Sequence, residues 1–168
     1  MFGYLSNHLY NRGGKSFLHN VFFEVSDSDI KKAESILGFY IPEQLKLFYQ
    51  EVGYGTLCAS HDFDLDYDPI NRNEILPPIA MANFSKGILA WENQTHWMGQ
   101  DTHESLDLSP GDLPFFEISD GSQFMVMKAL SDNPNAVWFM GMEKIEDSLE
   151  SFIHNLYYDD PAYYVRRW

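Results

Sequence analysis

A single cysteine, Cys58, is all that this 168-residue chain carries. That scarcity excludes an internal disulfide framework and fits a reducing compartment. Basic residues are short as well: Lys and Arg number 11 against 25 Asp and Glu, for a net charge of -14. Binding to phosphate backbones depends on clustered Lys and Arg that release counterions, so the charge argues against nucleic acid as a direct partner. No apolar run approaches the length that spans a bilayer, and the stretch Met1 to Lys15 has no basic start followed by an apolar segment. The expectation is a cytoplasmic protein with no membrane partner. Internal repeats and low-complexity segments are absent too.

What the chain does carry is 16% aromatic residues within an otherwise ordinary 45% hydrophobic composition. At this length one domain encloses a hydrophobic core without staples. The acidic excess has two readings. It keeps an aromatic-rich chain soluble, or it meets a cationic protein, where opposite charge speeds encounter and fixes orientation.

Two short amphipathic helices in tandem stand out between Ser26 and Leu57. Ser26 can cap a first turn that carries Asp27 and Asp29 near the positive end of the helix dipole. Ile30, Ala33, Ile36 and Leu37 then make one apolar stripe, with Lys31, Lys32 and Glu34 on the wet side, and Gly38 ends the helix. Pro42 suits the first turn of a second helix whose inward residues are Leu45, Phe48, Tyr49 and Val52, closed by Gly53 and Gly55.

Beyond Leu57 the chain turns to strands. Phe63, Leu65 and Tyr67 alternate with Asp62, Asp64, Asp66 and Asp68, a period of two that sends apolar side chains to one face and carboxylates to the other. Gly87 to Glu92 and Gln94 to Met98 are short strand candidates around Trp91 and Trp97, followed by a loop from Gly99 to Asp112. Leu113 to Ser119 and Gln123 to Leu130 flank Asp120-Gly121, a strong hairpin signal, and Ala136 to Met140 adds another strand after a turn. Asp147 and Glu150 can form a capping pair before a final helix faced by Leu149, Phe152, Ile153 and Leu156. The order predicts an α+β domain: a mostly antiparallel, curved β-sheet with two N-terminal helices and one C-terminal helix packed on it.

The constellations that could carry chemistry all have duller readings. Asp62, Asp64, Asp66 and Asp68 resemble the start of a calcium loop, but Tyr67 and Asn73 stand where that loop needs glycine and glutamate. A solvated strand face, which also discourages edge-to-edge aggregation, fits better. His96, Asp101, His103 and Glu104 offer metal donors without a helix-borne His-Glu-x-x-His pattern, so an exposed loop is expected and no cofactor is assigned. Cys58 lacks a CxxC neighbour and reads as a small buried hydrophobe. Gly13-Gly14-Lys15-Ser16 lacks the spaced first glycine of a phosphate loop, and no Gly-x-Ser-x-Gly elbow exists. The tail aromatics Tyr157, Tyr158, Tyr163, Tyr164 and Trp168 are expected to fold back onto the core rather than form an open patch.

An acidic-capped helix ending in Leu-Gly, then Ile-Pro, then Leu-x-x-Phe-Tyr and a Gly-x-Gly turn resembles the opening of the SUKH superfamily. That group includes bacterial immunity proteins and a fungal cell-wall-synthesis regulator. PFFEISDGSQFMVMK, a Trp-bearing strand and the terminal Ser-Leu-Glu-Ser-Phe-Ile helix resemble its second half. The resemblance implies one domain over residues 1–168, with an N-terminal extension or first element at 1–25 and the helical pair at 26–57. A sheet with a variable middle would follow at 59–141, then a C-terminal helix and aromatic tail at 147–168. It also implies a non-catalytic binding protein that neutralises a cognate toxin, expected to be a basic nuclease. Asp62, Asp64, Asp66, Asp68, Trp91, Trp97, Asp101 and Glu104 are the expected partner-binding residues. A regulatory or scaffold protein is the alternative, and a metal-dependent hydrolase using His96 and His103 a further one.

Overall fold

The computed structural model describes residues 1–10, 20–57, 73–88, 103–104, 106–118, 123–159 and 164. Seven strands form one sheet in chain order, every neighbouring pair antiparallel. They are β1 (Val21–Phe23), β2 (Tyr54–Leu57), β3 (Asn73–Ile75), β4 (Asp112–Ile118), β5 (Gln123–Lys128), β6 (Val137–Phe139) and β7 (Glu143–Glu146). Among the described residues the α-helices include α1 (Asp27–Leu37), α2 (Glu43–Glu51), α3 (Pro78–Ser85) and α4 (Leu149–Tyr158), and a 3-10 helix spans Gly3–His8. The α+β class expected from the sequence is the class found, with α3 as a helix the sequence reading did not anticipate.

The tandem helices follow their local chemistry. The Ser26 hydroxyl accepts from the Asp29 backbone N-H at 3.1 Å, and Gly38 takes the left-handed conformation at φ 80° while donating to the Glu34 carbonyl. Ser26→Ala is expected to cost about 1 kcal/mol in urea unfolding, the usual penalty for losing an N-cap. The Glu34 carboxylate then joins the two helices, accepting from Lys46 Nζ at 3.0 Å and from the Ile41 N-H at 3.3 Å. Leu45, Phe48, Tyr49 and Val52 are buried, as their spacing predicts.

Helix α4 is capped differently from the sequence expectation. Ser148, not Asp147, accepts from the Ser151 N-H at 3.1 Å, and the Glu150 N-H is taken by Gln44 Oε1 at 3.0 Å. Asp147 instead accepts from Lys144 Nζ at the end of β7. Ser148 wins because its extended backbone places the hydroxyl over the first turn. Two strand expectations also shift. Gly55 lies inside β2 rather than merely ending α2, and Gly87 and Ile88 close α3 instead of opening a strand. The rest of that candidate strand, the one at Gln94 to Met98 and the acidic run Asp62 to Asp68 lie outside the described residues.

Strand pairing sorts side chains into two faces. Phe22, Gly55, Ile75, Phe116 and Met125 stand opposite one another across β1 to β5, and all are buried. Helices α2 and α4 cover this face, with Phe48 edge-on to Phe22 at 6.0 Å and Phe152 edge-on to Phe116 at 5.2 Å. Register shifts between Pro114 and Phe116, a bulge that lets β4 carry a proline inside the sheet. The opposite face carries Val21, Thr56, Glu74 and Glu117 in register, all half-buried, ending at buried Phe124, which stacks on Phe84 of α3 at 5.3 Å.

Candidate partner-binding surface

Of the residues the sequence nominated for partner binding, Glu104 is described: it is exposed, in a short helical stretch with His103. Asp62, Asp64, Asp66, Asp68, Trp91, Trp97 and Asp101 lie outside the described residues, as do His96, Cys58 and the Gly13 to Ser16 turn. His103 packs as an aromatic. Its ring meets Phe84 edge-on at 5.5 Å and lies against Gly87. Among the described residues no group of three or more His, Cys, Asp or Glu side chains is placed to hold a metal ion. No helix among them is long and apolar enough to cross a membrane.

The aromatic tail divides. Tyr164 is buried, and its hydroxyl donates to Asn73 Oδ1 at 3.0 Å, so this part of the tail completes the core. Tyr157 and Tyr158 instead join Tyr4 and His8 of the 3-10 helix, with ring separations between 4.8 and 5.8 Å. His8 Nε2 lies 3.0 Å from the Tyr157 hydroxyl, and burial lowers the imidazole pKa, which favours the uncharged ring. Burial, reinforced by Tyr158, raises the Tyr4 hydroxyl well above its ordinary range. Phenol rings around an imidazole make a polar-capped aromatic seam. Tyr163 and Trp168 lie outside the described residues.

A second aromatic group came from strand pairing and had no local sequence signal. Phe22 and Phe23 are adjacent, and alternation buries the first and leaves the second 42% exposed. Tyr54 stands opposite Phe23 across β1 and β2, their rings 5.4 Å apart at 31°. The Tyr10 N-H donates to the Phe22 carbonyl, which lays Tyr10, 59% exposed, against the other side of Phe23 at 5.6 Å and 35°. Three rings therefore form a row at the β1 edge. Tyr54 also lines a cleft of about 230 Å³ with Glu24, Val25, Asp29, Pro77, Pro78 and Ile79. Exposed aromatic rows of this kind are more typical of contact surfaces than of solvated edges.

The chain is 30% identical over 149 residues to "Immunity protein YxxD" of Bacillus subtilis (strain 168), covering 89% of this chain and 91% of the relative. No solved structure matches it. The family model described as SMI1 / KNR4 family (SUKH-1) matches residues 24–155, from two residues before the α1 cap into α4. With the tandem helices, the bulged hairpin and most of the closing helix inside that span, the chain belongs to the SMI1 / KNR4 family (SUKH-1).

Proposed function

We propose that the chain is an immunity protein that neutralises a cognate toxin by direct association, without catalysis. The observation that carries this reading is the similarity to Immunity protein YxxD over nearly the full length of both chains. The net charge of -14 supports a basic toxin, a nuclease among the candidates, since enzymes that act on phosphate backbones carry the complementary charge. The mechanism is occlusion: aromatic anchors seat on the toxin while carboxylates pair with its Lys and Arg and block access to its site.

The acidic row Asp62, Asp64, Asp66 and Asp68, with Trp91, Trp97, Asp101 and Glu104, is the proposed contact set. Its test is a search of the neighbouring genes for a toxin-like protein, whose absence weakens the reading, and co-expression with it, scoring growth and pull-down. The intact chain is expected to restore growth. Changing the four aspartates to asparagine is expected to slow association about tenfold and to steepen the loss of binding with salt. Unchanged binding by that variant would remove the acidic row from the mechanism. Failure of the intact chain to protect would remove the immunity reading itself.

A further inference from the structure

We infer that the row Tyr10, Phe23 and Tyr54, with its adjoining cleft, docks a lysine- or arginine-bearing segment of a protein partner. The rings offer aromatic faces at the sheet edge, two of them substantially exposed. A guanidinium or ammonium group is attracted to such faces, and the alkyl stem behind it covers apolar surface. The cleft beside Tyr54 has apolar walls in Val25, Pro77, Pro78 and Ile79, and two carboxyl-bearing residues, Glu24 and Asp29, in its lining. That is the chemistry of a slot for one long cationic side chain.

The chain as a whole carries the same sign, with a net charge of -14. Phe23 and Tyr54 share the outer sheet face with Thr56, Glu74 and Glu117, the two glutamates standing directly opposite each other on β3 and β4. A second copy of this chain is disfavoured as the occupant, because a symmetric contact would bring Glu24 and Asp29 of both copies together. Anionic lipid and nucleic acid meet the same repulsion. A cationic polypeptide gains from both the rings and the carboxylates.

This inference rests on the toxin-binding reading only for the partner's identity. The test uses the full chain and a tetra-arginine peptide at physiological salt, with tetra-glutamate as control, followed through backbone amide shifts. Shifts are expected to centre on Phe23, Glu24, Tyr54 and Ile79. Binding is expected to be about tenfold weaker in Phe23→Ser and in Glu24→Gln, the second of which leaves the rings in place. Equal binding by both variants, shifts centred elsewhere, or no binding overturns the assignment. So does a concentration-dependent dimer abolished by Phe23→Ser, which would make a second copy the occupant. Growth protection against the neighbouring toxin is scored separately. Peptide binding without protection overturns the toxin reading alone, and protection without peptide binding at this face overturns the surface alone.

Discussion

Gly55→Ala is expected to destabilise the protein by about 3 kcal/mol or more, enough to remove much of the stability of a domain this size. Gly55 sits inside β2 at φ 136°, a conformation that side-chain-bearing residues rarely adopt. Its α-carbon faces Phe22 on one side and Ile75 on the other. A Cβ built there collides with the Val21 carbonyl and stands 3.3 Å from the Phe22 α-carbon. The colliding atoms are backbone held in the β1–β2 ladder, so they cannot rotate away as a side chain would. Gly3→Ala is the control, because nothing lies within 4 Å of the position its Cβ would take. Urea unfolding of both variants checks the contrast. A Gly55→Ala midpoint equal to the Gly3→Ala midpoint would contradict the close pairing of β1 with β2.

Phe152→Ala is expected to cost about 3–5 kcal/mol, the range for truncating a fully buried aromatic. Phe152 is fully buried on α4 and meets Phe115 at 6.3 Å, Phe116 at 5.2 Å and Tyr164 at 6.4 Å. The bulge in β4 brings two consecutive phenylalanines within reach of one ring, so the truncation leaves a cavity bounded by several rigid groups that collapse poorly. The same change loosens Tyr164, whose hydroxyl bond to Asn73 then loses its packed support. Thermal unfolding monitored by circular dichroism measures the loss. Phe152→Leu, which refills part of the space, is expected to lie between the wild type and the alanine variant.

Some elements were readable from sequence because their signals are local. Ser26, Gly38 and the Ile30–Ala33–Leu37 stripe mark α1 at both ends and along its face, and the Asp-Gly pair between two β-rich runs marks the β4–β5 hairpin. Helix α3 was hidden because Pro78, Ala80, Met81, Ala82 and Phe84 are all buried, so no wet face sets a period. Strands β1 and β3 have three residues each, too short for alternation to register, whereas β6 falls within the expected Ala136 to Met140 run. The ring row was hidden for another reason. Tyr10, Phe23 and Tyr54 are distant in sequence and meet only through the register of β1 with its neighbours. The nominated contact residues rested on the family resemblance and on the alternation of Asp62 to Asp68, and of them Glu104 alone falls among the described residues.

Because spatial strand order repeats chain order, every rung of the sheet joins segments that follow one another along the polypeptide. Assembly can therefore proceed as successive pairings of neighbouring strands, with α1 and α2 inserted between β1 and β2 and α3 between β3 and β4, rather than by threading a late strand between early ones. Long-range closure includes the seams of Tyr4 and His8 against Tyr157, Gln44 against Glu150, and Tyr164 against Asn73. Those seams join sequence-distant parts of the chain, so they form last in this scheme, and substitutions there act chiefly on unfolding rate rather than on folding rate.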